Sequence, residues 1–161
     1  MQESDTSINA KSAPVLVVED HDDTRQMIAA LLAAEGFTVL TAENGRRGLE
    51  SLMAARPCLV LLDLMMPVMT GWEFRRAQLS LPDSDLASVP VLLLTAVPNI
   101  EREGKQLGAA EVLPKPLDFD QLIQSVRRHC AGRTVARARC CSTTSTRRSR
   151  RLFRPWRAGS D

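Results

Sequence analysis

The feature that most constrains this chain is an unbroken apolar run that begins at Leu59 and ends in a single carboxylate, Asp63. Pro67 follows and interrupts any regular element that continues from the run. An apolar run this short is typical of a strand buried on both faces of a parallel sheet. Asp63 should then lie where the strand leaves the sheet. Because an unpaired charge is costly inside a core, its carboxylate needs water, a cation or both.

Similar apolar runs recur along the chain and alternate with segments of helical apolar spacing. Strands are predicted at 15–18, 37–41, 59–63, 91–95 and 111–113. Helices are predicted after caps at three places: Asp22 or Asp23, Asn44, and Asp118. Another helix is predicted after the turn residue Gly71, and a weak helix is predicted over 99–107, with Gly104 in its middle. The inward faces of the first two helices are predicted to be Met27, Ile28, Leu31 and Leu32, and Leu49, Leu52 and Met53.

The stretch from Leu79 to Pro90 holds two prolines and several Asp and Ser residues, and is predicted to be a loop. Five successive strand–helix units predict an α/β fold. In that fold a parallel, doubly wound sheet has helices on both faces and right-handed crossovers.

Charge divides the chain into two parts. Residues 1–130 contain 12 Lys and Arg against 18 Asp and Glu, whereas residues 131–161 contain nine Arg and one Asp. We therefore expect a disordered lead at 1–13, one folded domain at 14–130 and a disordered Arg-rich tail at 131–161.

No apolar run approaches the roughly 18 residues of a membrane span, and the polar N-terminus has no apolar signal core. A cytoplasmic protein is therefore expected, with no membrane partner. Its cysteines should then be reduced thiols, since they follow no metal-ligand spacing: Cys58, Cys130, Cys140 and Cys141.

Polar residues follow four of the predicted strands: Glu19 and Asp20, Asp63, Thr95, and Lys115. In open parallel sheets, ligands bind beyond the carboxyl ends of the strands, so these side chains should converge on one rim. The three carboxylates would repel one another unless a cation neutralised them. A Mg²⁺ ion and Lys115 would balance their charge, and oxygen ligands suit Mg²⁺.

This set of groups matches the needs of phosphoryl transfer, in which the protein mainly positions groups and neutralises charge. Asp63 is the candidate nucleophile and would form an acyl phosphate. Thr95 offers a hydroxyl, and Lys115 offers a point charge for a phosphoryl oxygen. The small side chain of Ala96 would leave a path to Asp63.

Together, these motifs resemble the signature blocks of response-regulator receiver domains of two-component signalling. The resemblance covers residues 14–130 and includes every block in order: Val17-Val18-Glu19-Asp20, Leu62-Asp63-Leu64-Met65-Met66-Pro67 with Gly71, Leu94-Thr95-Ala96, and Pro114-Lys115-Pro116. It implies a flavodoxin-like sheet of strand order 2-1-3-4-5.

The resemblance also implies a role for each matching residue. Asp63 is implied to be the phosphoacceptor, with Glu19 and Asp20 as the acidic metal pair and the Met65 backbone carbonyl as a further metal ligand. Thr95, Ala96 and Lys115 are implied to form the switch and phosphate-binding set, and the Lys115–Pro116 peptide bond is implied to be cis.

The implied partners are a sensor histidine kinase or a histidine phosphotransfer protein, and a downstream protein that docks on the 99–130 face. A homodimer is compatible with this scheme. The protein would be a stand-alone signalling phosphoacceptor rather than an enzyme acting on a separate substrate.

One departure from the family pattern bears on output, and two further positions bear on turnover. Val112 stands where receivers often carry an aromatic switch residue, so a different route for the phosphorylation signal is expected. Met65 and Val97 are apolar at positions that influence water access, which predicts a phosphoryl group lasting minutes or longer. Met65 also argues against a related Mg²⁺-dependent phosphohydrolase, which needs an aspartate there.

The tail leaves three interpretations open. It could be an artefact of out-of-frame translation, an Arg-rich nucleic-acid tether with Phe153 and Trp156 available for stacking, or an arm drawn to the acidic rim. Residues 131–161 are too few to form a helix-turn-helix output domain. A nucleic-acid-binding regulator that uses this tail as its output is the alternative function.

Overall fold

A computed structural model describes residues 13–97 and 100–131, and within them it forms one five-stranded parallel sheet of order β2-β1-β3-β4-β5. The strands are β1 (Val15–Val18), β2 (Val39–Ala42), β3 (Leu59–Asp63), β4 (Val91–Thr95) and β5 (Glu111–Pro114). The predicted fold class and strand order are confirmed. The predicted lead, apart from Ala13, and nearly all of the Arg-rich tail lie outside the described residues.

Helices lie between successive strands: α1 (Asp22–Ala34), α2 (Gly45–Ala55), α3 (Gly71–Leu79), α4 (Ser84–Ala87) and α5 (Glu101–Gln106). A further helix, α6 (Phe119–Cys130), follows β5. In the part of the chain that the structure describes, no helix is both long enough and apolar enough to cross a membrane.

The core lies in two layers, one on each face of the sheet. Side chains alternate along each central strand, so that Leu62 of β3 faces one layer and Leu61 faces the other. Helices α1 and α6 cover one face, with Ile28, Leu32, Leu122 and Val126 buried there; Leu52, Phe74, Leu86 and Leu107 cover the other. Strands β1, β3 and β4 are fully buried, which explains why their sequences have no polar gaps.

Several local predictions were wrong. The stretch from Leu79 to Pro90 is not only a loop, because α4 forms within it after an N-cap at Asp83, whose carboxylate accepts the backbone N–H groups of Asp85 and Leu86. Neither Asp22 nor Asp23 caps α1, since His21 occupies the N-cap position. Met27 and Met53, predicted to face inward, are about half exposed at 45% and 48%.

The prediction of reduced thiols was also wrong for one pair of cysteines. Cys58 and Cys130 form a disulfide, with their Cα atoms 5.3 Å apart and a sequence separation of 72. Cys140 and Cys141 lie outside the described residues. The bond joins the chain just before β3 to the last residue of α6.

A buried arginine fastens the end of α5 to α3. Arg75 is only 6% exposed, and its guanidinium donates to the backbone carbonyls of Leu107 (3.0 Å) and Gly108 (2.8 Å) and to the Gln78 side chain (2.8 Å). Burial lowers the pKa of Arg75 from its usual value. Gln78 in turn donates to the carbonyls of Leu86 and Val89, both at 3.0 Å, so this polar network spans α3, the α4 turn and the α5–β5 connection.

Gly104 is buried where α5 packs against β5, and the space there admits no larger residue. A Cβ atom at Gly104 would lie 2.5 Å from Cγ2 of Val112 and 3.5 Å from Leu93. The glycine is therefore a packing requirement and not merely an imperfection of the helix.

We expect Gly104→Ala to destabilise the protein by about 1–2 kcal/mol, although the same change in an open helix would stabilise it by about 1 kcal/mol. Val112→Ala should relieve the clash, so the double variant should lose less than the sum of the two single losses, by at least about 0.5 kcal/mol. Urea denaturation of the four proteins measures this coupling. Simple additivity would show that the two side chains do not compete for the same space.

Candidate functional site

The carboxyl ends of β1 and β3 place three carboxylates at one edge of the sheet. Glu19 and Asp20 follow β1, and Asp63 is the last residue of β3. Carboxylate oxygens of the three residues lie within 4.8 Å of one another. Glu19 (1% exposed) and Asp63 (6%) are buried, whereas Asp20 is exposed. In the predicted acidic cluster, Glu19 and Asp63 are therefore shielded from solvent, whereas Asp20 faces it.

Lys115, just after β5, brings a cation to this cluster. Its Nζ lies 2.8 Å from Oε2 of Glu19 and 3.6 Å from Oδ2 of Asp63. The backbone holds the lysine in place, because its N–H donates to the Thr95 carbonyl at 2.7 Å. The Lys115–Pro116 peptide bond is cis. One ammonium group therefore serves two buried carboxylates.

The charge on Asp63 is only partly compensated. Burial raises the pKa of Asp63, and repulsion from Glu19 and, more weakly, Asp20 raises it further. The Lys115 ammonium and the Met65 backbone N–H, which donates to Oδ1 at 3.4 Å, oppose this rise. A second cation at the cluster would therefore stabilise the ionised form.

The donor set of the cluster fits a hard divalent cation. All three side chains offer oxygen ligands, and the exposed Asp20 leaves one side of the cluster open to water. Mg²⁺ binds through one or two carboxylates and keeps several waters, which suits a site of this composition.

Thr95 ends β4 and is 3% exposed. Its hydroxyl accepts the Val97 backbone N–H at 3.0 Å, whereas no hydrogen bond joins it to Asp63 within the described residues. Ala96 and Val97 follow on the exposed rim, and Met65 is 67% exposed beside the cluster. The structure thus brings Glu19, Asp63 and Lys115 into direct contact but leaves the Thr95 hydroxyl engaged with its own loop.

Arg25, in the first turns of α1, is a site residue that the sequence prediction missed. Its Nη1 donates to the backbone carbonyls of Glu19 (2.8 Å) and Asp20 (3.3 Å), and its Nη2 pairs with Asp22. The guanidinium therefore fixes the turn that carries the acidic pair. A basic residue near the start of the helix was the available signal, but its reach back to carbonyls is not visible in sequence.

Gly71 packs directly against the strand end that carries Asp63. A Cβ atom there would lie 2.5 Å from the Asp63 carbonyl oxygen and 2.8 Å from Cα of Leu64, and the Gly71 N–H donates to the Leu64 carbonyl at 3.0 Å. A capping box between Thr70 and Glu73 starts α3 at this point. Accepting the Thr70 backbone N–H lowers the pKa of Glu73. Gly71 is therefore more than a turn residue, because it allows α3 to approach β3.

Comparison with known proteins identifies the family of this chain. Residues 15–127 match the family model described as the response regulator receiver domain. The chain belongs to the response regulator receiver family. It is thus a receiver domain of a two-component response regulator.

Two curated relatives differ in how much of their length the receiver domain covers. The probable transcriptional regulatory protein SilR of Salmonella typhimurium is 39% identical over 115 residues, which is 70% of this chain but 49% of SilR. Protein PilH of Pseudomonas aeruginosa is 32% identical over 122 residues, which is 74% of this chain and 99% of PilH. The chain therefore spans about half the length of relatives such as SilR and nearly all of PilH.

Solved receiver structures superpose on the same region. The chemotaxis response regulator CheY4 of Vibrio cholerae is 36% identical with a TM-score of 0.67, covering 74% of this chain and 99% of that one. The signal receiver domain of a histidine kinase from Syntrophus aciditrophicus is 28% identical with a TM-score of 0.69, covering 82% and 98%.

Proposed function

We propose that this receiver accepts a phosphoryl group on Asp63 from the phosphohistidine of a sensor kinase or a histidine phosphotransfer protein. The observation that carries the proposal is the buried Asp63 carboxylate, 3.6 Å from the Lys115 ammonium and within 4.8 Å of two further carboxylates at the open edge of the sheet. A structural aspartate would not need this concentration of like charge beside it.

The carboxylate of Asp63 attacks phosphorus, the P–N bond breaks and the histidine imidazole leaves. Lys115, already beside Oδ2 of Asp63, contacts one phosphoryl oxygen. The Thr95 hydroxyl leaves the Val97 N–H and donates to a second phosphoryl oxygen. The small Ala96 leaves room for the incoming group. This is phosphoacceptor chemistry, because the phosphoryl group stays on Asp63 while the dephosphorylated histidine leaves.

Glu19, Asp20, Asp63 and the Met65 backbone carbonyl would hold Mg²⁺. When bound, the ion neutralises charge on the phosphoryl oxygens during transfer. The protein's own contribution is to keep Glu19 buried and paired with Lys115 and to fix the Glu19–Asp20 backbone through Arg25.

The decisive experiment exposes the wild-type protein and Asp63→Ala to a small phosphodonor, with and without Mg²⁺, and records intact mass. We expect one added phosphoryl group on the wild type, dependent on Mg²⁺ and lost in Asp63→Ala. Beryllofluoride should produce a change in the wild-type protein and none in Asp63→Ala. Equal mass gain in both proteins, or none in either, would contradict the proposal.

The exposed Met65 and Val97 are the basis for proposing a long-lived acyl phosphate. Both side chains place apolar surface beside the open rim of the site, where water must approach. We expect radiolabel on the isolated phosphoprotein to persist for minutes or longer, and replacement of Met65 by a polar residue to shorten that time. Loss of the label within seconds would refute this expectation.

The output is proposed to be altered protein–protein contact through the 99–130 face, as a monomer or a homodimer. The nine arginines of residues 131–161 favour one alternative, a nucleic-acid-binding regulator that uses this segment. Deleting 131–161 should then abolish retention on nucleic acid at low salt. Unchanged retention would exclude the alternative.

A further inference from the structure

Cys58 and Cys130 are placed at an end of the molecule that the phosphoryl site does not use. Cys58 directly precedes β3, and Cys130 is the last residue of α6. Asp63 lies at the opposite end of β3, about 16 Å away at the rise of an extended strand. The disulfide between the two cysteines therefore tethers α6 to the sheet without touching the acidic cluster.

We propose that Cys58 and Cys130 form a redox-active site that exchanges with small thiols and disulfides of the glutathione type. Oxidation closes the tether between α6 and the sheet, and reduction releases it. The inference does not depend on phosphorylation of Asp63, because its residues, cavity and chemistry are separate from that site.

The two cysteine residues differ in exposure, and from this difference we infer the order of attack. Cys58 is 3% exposed, whereas Cys130 is only partly buried at the helix terminus. Both line a cavity of about 240 Å³ that also includes Phe37 and Arg127. A small reagent entering this cavity should meet the more exposed residue, Cys130, first. Arg127 and Glu35 both line the cavity and pair with each other, so their charges balance.

The position of Cys130 also makes opening inexpensive. It ends α6, and the Ala131 N–H donates the last described backbone bond, to the Arg127 carbonyl at 3.0 Å. Only the final helical turn has to move for an external sulfur to align with the bond, and helix ends open at low free-energy cost. The buried apolar anchors of α6, Leu122 and Val126, can stay in place.

The exchange balances in two steps. In oxidation, the Cys130 thiolate attacks oxidised glutathione, forming a mixed disulfide and releasing one glutathione thiol. The Cys58 thiolate then attacks the Cys130 sulfur, forming the intramolecular bond and releasing the second glutathione. The two protons lost by the cysteines end on the two glutathione thiols, and reduction reverses both steps.

The test uses the full chain with Cys140→Ser and Cys141→Ser, so that only the pair remains. The protein is equilibrated in mixtures of reduced and oxidised glutathione, quenched with an alkylating reagent under denaturing conditions and weighed by mass spectrometry. We expect the bond to form in excess oxidised glutathione and to be lost in excess reduced glutathione. Free thiols throughout, or a bond that persists in excess reduced glutathione, would overturn the proposal.

Two single variants test the order of attack. In Cys58→Ala, the remaining Cys130 should acquire glutathione at least about tenfold faster than the remaining Cys58 does in Cys130→Ala. Equal rates, or faster modification of Cys58, would overturn the assignment of Cys130 as the entry point.

Thermal unfolding of the same protein tests the tether, without a variant that removes either cysteine of the pair. The oxidised form should melt at least about 5 °C above the reduced form, because the bond closes a long loop. Equal melting temperatures would show that the bond does not restrain α6. Phosphodonor uptake should be similar in both redox forms. The melting comparison needs no phosphoryl group, so it remains valid even if Asp63 is not phosphorylated.

Discussion

Replacing Lys115 with methionine is expected to lower the free energy of unfolding by about 2–3 kcal/mol and to reduce phosphoryl uptake about 100-fold. The stability loss arises because Glu19 is 1% exposed and its carboxylate has the Lys115 ammonium at 2.8 Å. Methionine keeps the length of the side chain but leaves that buried charge without its cation. The loss lies below that for a fully dry pair, since the Lys115 side chain is 24% exposed.

A second substitution separates the two effects. In Glu19→Gln with Lys115→Met, no buried charge remains unpaired at Glu19, so stability should return to within about 1 kcal/mol of the wild type. Phosphoryl uptake should stay low, because the cation that contacts Asp63 is still missing. Urea denaturation and phosphodonor mass gain, measured on the wild type, Glu19→Gln, Lys115→Met and the double variant, follow the two properties independently.

Two outcomes would contradict this account. If the double variant were no more stable than Lys115→Met, the Glu19–Lys115 pair would not be the origin of the loss. If Lys115→Met took up phosphate at the wild-type rate, the lysine would be a structural partner of Glu19 and not a phosphate contact.

Gly71→Ala is expected to destabilise the protein by about 3 kcal/mol, a large effect for one methyl group. The new Cβ atom would lie 2.5 Å from the Asp63 carbonyl oxygen and 2.8 Å from Cα of Leu64, and neither backbone atom can move without shifting β3. Because Asp63 is part of that strand end, phosphoryl uptake should fall with stability. Circular dichroism melts and phosphodonor mass gain measure both changes.

Gly36→Ala is the matched control. Gly36 has φ of +88° beyond the end of α1, and a Cβ atom there meets no atom within 4 Å. Its cost should be about 1 kcal/mol, from backbone conformation alone, with phosphoryl uptake unchanged. Equal losses for the two variants would show that close approach at Gly71 does not matter.

The sequence predicts the sheet well because each central strand is buried on both faces. Runs such as Leu59–Leu62 can have no polar residue until they reach the edge, so the first polar residue also indicates where the strand ends. Parallel strands have their carboxyl ends on one side, and for this reason the proximity of Glu19, Asp63 and Lys115 follows from element order alone. Their roles in phosphoryl transfer remain predictions.

What the sequence does not predict depends on distances between elements that are remote in the chain. The Cys58–Cys130 bond spans 72 residues and follows no local pattern. Gly104 looks like a weakness of a helix until Val112 is found against it. Arg25 looks like an exposed helix residue, yet it reaches back to the Glu19 carbonyl. In each case helix packing on the sheet, rather than periodicity, sets the contact.

The buried Arg75 has a mechanical consequence for α5. Its bonds to the Leu107 and Gly108 carbonyls fasten the carboxyl end of that short helix to α3. Ile100, at the start of α5, is buried in the core and is 6% exposed. The helix is therefore tied to the domain on both sides, by apolar burial before it and by the Arg75 hydrogen bonds after it.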